Sequence, residues 1–149
     1  MEISIQNVSM TYPSGKQALR DLSLDLGSPS LIGLLGPNGA GKSTLMKLLT
    51  AALLPTSGSI LVDGQPLAKA ERQLKARLGY LPQDFGLFDE LTVTEFLDYM
   101  AALKGVREAK AAIRRVIGAV NLEEKSKARL RTLSGGQRQR VGIAQALLG

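Results

Sequence analysis

The 149 residues contain neither cysteine nor histidine. Without cysteine there is no disulfide scaffold and no thiolate metal site. Without histidine there is no His-ligated zinc, no serine–histidine triad and no imidazole general base. Tryptophan is also absent and aromatic residues make up only 4% of the chain. Long apolar runs are lacking too. The stretches at 31–35 and 50–54 fall far short of the ~20 residues a membrane helix needs. The start, MEISIQNVSM, carries an acid at position 2 and no apolar core, so it does not read as a secretory signal. What is present is a 44% apolar fraction, ordinary for a folded chain, at about one domain's length. The expectation is a soluble intracellular product.

Charge is unevenly spread. Residues 1–100 carry eight Lys and Arg against ten Asp and Glu, and residues 101–149 carry eleven against three. A basic half can serve nucleic acid or a membrane surface. Here the cations are dispersed and lack aromatic neighbours on which bases could stack, so solvated helix faces are the expectation and nucleic acid is not an expected partner.

The first third reads as short strands. Ile3, Ile5 and Val8 alternate approximately with polar residues, and Leu22, Leu24 and Leu26 alternate strictly, with Tyr12-Pro13-Ser14-Gly15 as the turn between. Residues 31–35, Leu-Ile-Gly-Leu-Leu, predict a strand buried on both faces, as inside a parallel sheet. A helix is predicted over 42–53, and strands over 59–62 and 78–81. Beyond residue 90 the pattern turns helical. Thr92-Val93-Thr94-Glu95 fits a capping box, with Leu91 and Phe96 at staple positions. A second helix is predicted over 107–120 and a third from near Gly135 to the end.

Between the apolar run and the first helix lies Gly36-Pro37-Asn38-Gly39-Ala40-Gly41-Lys42-Ser43-Thr44. It matches G-x-x-x-x-G-K-[ST] in its strand–loop–helix context. A polyphosphate needs several converging donors. Backbone N–H groups of residues 39–44 supply them if the loop takes conformations that glycine tolerates, and the helix N-terminus adds partial positive charge. Lys42 provides a full charge for the β- and γ-phosphates, and Ser43 a hydroxyl for Mg²⁺. Leu133-Ser134-Gly135-Gly136-Gln137 opens the last helix. Ser134 is a good N-cap, and the glycines leave the backbone donors bare, which makes this a second anion site.

GPNGAGKST followed by LSGGQ resembles the nucleotide-binding domain of ABC (ATP-binding cassette) proteins, colinear over residues 2–149. The resemblance implies an α/β fold of the P-loop NTPase class, with N-terminal antiparallel strands, a parallel core sheet and a helical insert. It divides the chain into a β-rich P-loop core at 1–90, a helical subdomain at 91–134 and a signature helix at 135–149. It places Tyr12 where the family has an adenine-stacking aromatic and Gln83 where it has the Q-loop glutamine that reaches Mg²⁺ or the attacking water. It implies ATP and Mg²⁺, and a head-to-tail pair of cassettes in which Ser134 and Gly136 touch the γ-phosphate on the partner's P-loop. It further implies a separate membrane permease, exporter-type on the likeness of GYLPQDFGLFDELTVTEFLDYMAALKG, and a cytoplasmic place at the inner face of the membrane.

The family also has a buried strand ending in Asp-Glu beyond the signature helix, and later a switch histidine. Neither is in these residues. Asp63-Gly64 and Asp89-Glu90 are the nearest substitutes, and both precede the signature. The chain therefore resembles an N-terminal portion truncated after the signature helix, with an incomplete core, marginal stability and slow or absent turnover. Two other readings are a soluble ABC ATPase acting on nucleic acid or ribosomes and a non-catalytic nucleotide-binding module.

Overall fold

The computed structural model describes residues 1–82, 86 and 88–148. These fall into two compact units, Met1–Lys75 and Ala76–Gly149.

The first unit is built on a β-hairpin. Strands β1 (Glu2–Thr11) and β2 (Gln17–Gly27) pair antiparallel. The turn closes through Gly15 N–H to the Tyr12 carbonyl at 2.9 Å and Tyr12 N–H to the Lys16 carbonyl at 2.9 Å. Alternation in β1 sends Ile5, Val8 and Met10 to the buried face. Register breaks near Asn7 and Ser9 keep those residues inward although their spacing is not strictly two. Strand β3 (Ser57–Val62) pairs antiparallel with the other edge of β1, and the short β4 (Gln65–Pro66) pairs with β3, giving the order β2-β1-β3-β4. Helices α1 (Lys42–Leu49) and α2 (Leu67–Arg77) bring Leu45, Leu48, Leu67, Ala70 and Leu74 into the same core as Ile5, Val8, Ile60 and Val62.

Four expectations are corrected here. Residues 31–35 form no strand, and neither do residues 78–81. The sheet of the described residues is antiparallel throughout. Leu31 and Leu35 lie open to solvent at 102% and 94% relative exposure. An apolar run states that a segment gains by being covered. It supplies no ladder partner, and no described strand runs beside it. The first helix also ends sooner than predicted: Thr50 caps it and Ala51 turns left-handed at φ 55°. The sequence reading missed α2, although Leu67, Ala70 and Leu74 show helical spacing.

The second unit is helical. Helix α3 (Val93–Lys104) starts at the Thr92 capping box and stops at Gly105, which is left-handed at φ 67°. The Thr92 side chain accepts from Glu95 N–H at 3.2 Å, and Glu95 Oε2 accepts from Thr92 N–H at 2.8 Å. Helix α4 (Ala109–Ala119) buries Ile113, Val116 and Ile117. Helix α5 (Gly135–Ala146) buries Val141 and Ala144. These pack with Val93, Phe96, Leu97, Leu130 and Leu148 in one core.

Candidate functional site

The loop at 36–44 lies between the open 31–35 segment and α1. Its glycines are there for the backbone. Gly39 and Gly41 take φ of 87° and 93°, where a Cβ is disfavoured. At Gly41 a Cβ would also come within 2.5 Å of the Ala18 carbonyl oxygen and 2.8 Å of a Leu19 methyl. The β2 backbone thus presses directly on the loop's last turn, and only glycine fits.

Gly41 is also the N-cap of α1, and among the described residues no side chain caps that helix end. The first N–H groups of α1 therefore keep their capacity for an outside acceptor, and the helix dipole favours an anionic one. Lys42 Nζ donates to the carbonyls of Gly36 and Pro37, at 2.8 Å to the latter. Its ammonium is thereby held over the loop. Ser43 is exposed and Thr44 buried. Ala40 N–H, one of the expected donors, is taken by the Pro37 carbonyl at 3.2 Å, but a polyphosphate still fits the rest of the set: the amides at the start of α1, one ammonium, and no carboxylate among the loop residues. ATP would supply the scissile β–γ bond and Mg²⁺ would neutralise its phosphates, and the exposed Ser43 hydroxyl would be the loop's oxygen donor to the metal.

Tyr12, at the end of the hairpin, is half-buried against the core of the first unit. Its hydroxyl lies 3.0 Å from Thr44 Oγ1. The structure so joins Tyr12 to the last residue of the 36–44 loop. Gln83, the remaining residue implied for the metal, lies outside the described residues.

The signature residues belong to the second unit. Leu133 is buried and anchors the motif. Ser134 caps α5, and the cap is reciprocal: its Oγ accepts from Gln137 N–H at 3.3 Å, and Gln137 Oε1 accepts from Ser134 N–H at 3.0 Å. The donors at this helix start are thus less bare than the glycines alone predict. The signal was present, since Ser-Gly-Gly-Gln is itself a capping-box pattern. Because Ser134 Oγ accepts internally, its own proton remains free to donate outward. Gly135 and Gly136 are helical without positive φ, and a Cβ at either would meet nothing within 4 Å. Among the described residues neither backbone strain nor packing asks for glycine there, and a glycine costs a helix up to about 0.5–1 kcal/mol.

The acids of the two candidate stretches have local partners. Asp63 Oδ1 accepts from Glu2 N–H at 2.7 Å in the β3–β4 turn. Asp89 and Glu90 pair with arginines, at 2.7 Å for Asp89 with Arg138. Among the described residues there is no group of three or more His, Cys, Asp or Glu that could hold a metal, and no helix is long and apolar enough to cross a membrane.

Comparison with known proteins shows the family. The family model described as ABC transporter matches residues 19–149. The methionine import ATP-binding protein MetN of Corynebacterium jeikeium (strain K411) is 37% identical over 155 residues, covering 98% of this chain and 42% of that protein. The human phospholipid-transporting ATPase ABCA3 is 38% identical over 151 residues, covering 98% of this chain and 9% of that protein. The chain thus spans well under half the length of either relative. Among solved structures, a putative ABC transporter ATP-binding protein from Pyrococcus furiosus superposes with a TM-score of 0.85 at 28% identity over 99% of this chain and 70% of that one. A bacterial Atm1-family ABC exporter with ATP bound gives 0.82 at 30% identity, over 99% of this chain and 27% of that one. With a P-loop NTPase fold and a family match over most of its length, the chain belongs to the ABC transporter family, within its ATP-binding part.

Proposed function

We propose that the protein binds ATP with Mg²⁺ on residues 36–44 and Tyr12, and that two copies, or this chain and a second cassette, close head to tail over two nucleotides. The observation that carries this reading is the cradle itself: an α1 N-terminus without a side-chain cap, beneath a glycine turn over which Lys42 Nζ is held. The unstrained, uncrowded pair Gly135 and Gly136 supports the trans contact, because an outside phosphate is what their missing Cβ atoms would admit. Closure is favoured by the γ-phosphate and lost on its hydrolysis, so nucleotide state sets the dimer equilibrium. Hydrolysis needs a base and a water-positioning group, and Gln83 is the residue proposed for joining metal or water to movement of the helical unit.

The energy of closure is used, in this reading, by a membrane permease at the inner face of the membrane. In the second unit a cavity of about 740 Å³ is lined by Ile113 and Ile117 together with Asp98, Lys110 and Arg114. A lining that combines apolar side chains with both charge signs fits an amphipathic segment of a partner. The exporter direction rests on the likeness of residues 79–105 to exporter-type subunits. The test is the full-length protein with its permease in inside-out vesicles. ATP-driven uptake that is lost in Lys42→Ala supports the exporter reading, and transport only in the opposite orientation removes it. Mg²⁺-independent, nucleotide-free dimerisation would remove the cassette mechanism altogether.

A further inference from the structure

Five charged side chains join the turn before α3 to the residues around the start of α5. Asp89 Oδ1 accepts from Arg138 Nη1 at 2.7 Å. Glu90 accepts from Arg129 Nη1 at 3.2 Å and from Arg131 Nη1 at 3.3 Å. Beneath these charges runs a short backbone ladder. Leu130 N–H donates to the Leu91 carbonyl at 2.9 Å, Arg131 N–H donates to the Asp89 carbonyl at 3.2 Å, and Thr92 bridges Arg129 antiparallel.

Arg138 is the residue that carries this scaffold into the helix. The same Nη1 that meets Asp89 also donates to the Leu130 carbonyl at 3.1 Å. Its backbone N–H closes the first turn of α5 on the Ser134 carbonyl at 2.9 Å. One side chain therefore fixes the first turn of α5 against both strands of the ladder.

Stability alone does not account for this arrangement. The Asp89 and Arg138 side chains are 55% and 33% exposed, and exposed pairs add little to folding. Helix α5 is already anchored by Val141 and Ala144, both within the core. What a charge-assisted bond at the first turn does control is direction. It sets where Ser134 and the N–H groups of Gly135 and Gly136 point, and donors that are aimed before their acceptor arrives need no reorganisation when it does.

We infer that Arg138, held by Asp89, is a positioning residue that aims the Ser134–Gly135–Gly136 turn at a phosphate on the partner cassette. This rests on the head-to-tail reading proposed above. The test uses the full-length protein and two readouts: dimerisation driven by a non-hydrolysable ATP analogue, followed by sedimentation, and binding of the same analogue to the dilute monomer. Ser134→Arg is the control for the underlying reading.

Arg138→Ala and Asp89→Ala should each weaken dimerisation by about tenfold while leaving monomer nucleotide affinity and thermal midpoint unchanged. Arg138→Lys should lose about threefold. Arg138→Asp combined with Asp89→Arg should recover most of the tenfold loss. The inference is overturned if Ser134→Arg abolishes dimerisation while the Arg138 and Asp89 variants dimerise normally. It is also overturned if the reversed pair recovers nothing, or if dimerisation falls only in step with melting temperature and monomer binding. If Ser134→Arg dimerises normally, the head-to-tail reading itself fails, and the positioning role goes with it.

Discussion

The phenol oxygen of Tyr12 sits 3.0 Å from the hydroxyl oxygen of Thr44, joining the end of the first hairpin to the last residue of the phosphate loop. Thr44 is 7% exposed, so its hydroxyl has little access to water and depends on this partner. Tyr12 therefore has a role in the fold as well as the adenine-stacking role proposed for its ring. The two separate experimentally. Tyr12→Phe removes the hydroxyl and keeps the ring. It should cost about 1 kcal/mol of stability while nucleotide affinity changes by less than about threefold. Tyr12→Ala should cost more stability and at least about tenfold in affinity. Equal nucleotide affinity in all three proteins, by titration calorimetry, would show that the ring does not touch the base.

Gly41 is constrained twice, by its φ of 93° and by the Ala18 carbonyl oxygen 2.5 Å from where a Cβ would stand. Gly41→Ala should lower the thermal midpoint and reduce nucleotide affinity by at least about tenfold, since the loop must shift to admit the methyl. Lys42→Ala leaves the backbone alone. It should keep the midpoint of the free protein close to wild type and lower ATP affinity by about a hundredfold. Comparison of the two by differential scanning fluorimetry, with and without nucleotide, separates loop shape from loop charge.

At Gly135 and Gly136 stability and function should move in opposite directions. Alanine at either position meets no atom within 4 Å and stays helical. Each substitution should stabilise the free protein by up to about 0.5–1 kcal/mol. The added methyl groups should at the same time weaken ATP-driven dimerisation, more strongly for Gly136, where the partner's γ-phosphate is proposed to lie. A variant that is both more stable and fully able to dimerise would remove the trans-phosphate role.

Two side chains give the helical unit a pH signature. Hydrogen bonding from the Thr92 backbone, helped by the Thr92 side chain, holds the Glu95 carboxyl below its ordinary value. A carboxylate favoured in the folded state contributes stability above its unfolded pKa, and that contribution is lost as pH falls through the lower folded value. Glu95→Ala should flatten the acid limb of the stability curve, read by circular dichroism. Lys104 is the opposite case. It donates to the carbonyls of Gln145 at 2.9 Å and Leu148 at 2.8 Å, while burial pushes its pKa down. The unfolded chain then binds the extra proton, so stability rises with pH just below the ordinary lysine range. An NMR titration should find Lys104 among the first lysines to lose its proton, and Lys104→Met should remove that rise.

How much of this was legible beforehand depends on how local each feature is. The hairpin, the capping box at Thr92 and Glu95, and helices α3, α4 and α5 all follow from alternation, helical spacing and cap residues within a few positions of one another. The phosphate loop is equally local, because G-x-x-x-x-G-K-[ST] specifies backbone conformation and charge together. Helix α2 was legible in the spacing of Leu67, Ala70 and Leu74, and was missed. Residues 31–35 were misread because apolar character announces a need for cover without naming what provides it.

The sequence by itself determined which chemical groups stand where: one lysine at a glycine turn and one serine before a glycine pair, the kinds of donor that the proposed phosphate contacts need. Tertiary structure decided the rest. That Gly41 must be glycine because β2 presses on it, that Tyr12 answers to Thr44 across 32 positions, and that Asp89 reaches Arg138 across 49 are consequences of which segments the core brings together. Contacts between residues far apart in the chain leave no periodic mark on it, so no window of sequence contains them.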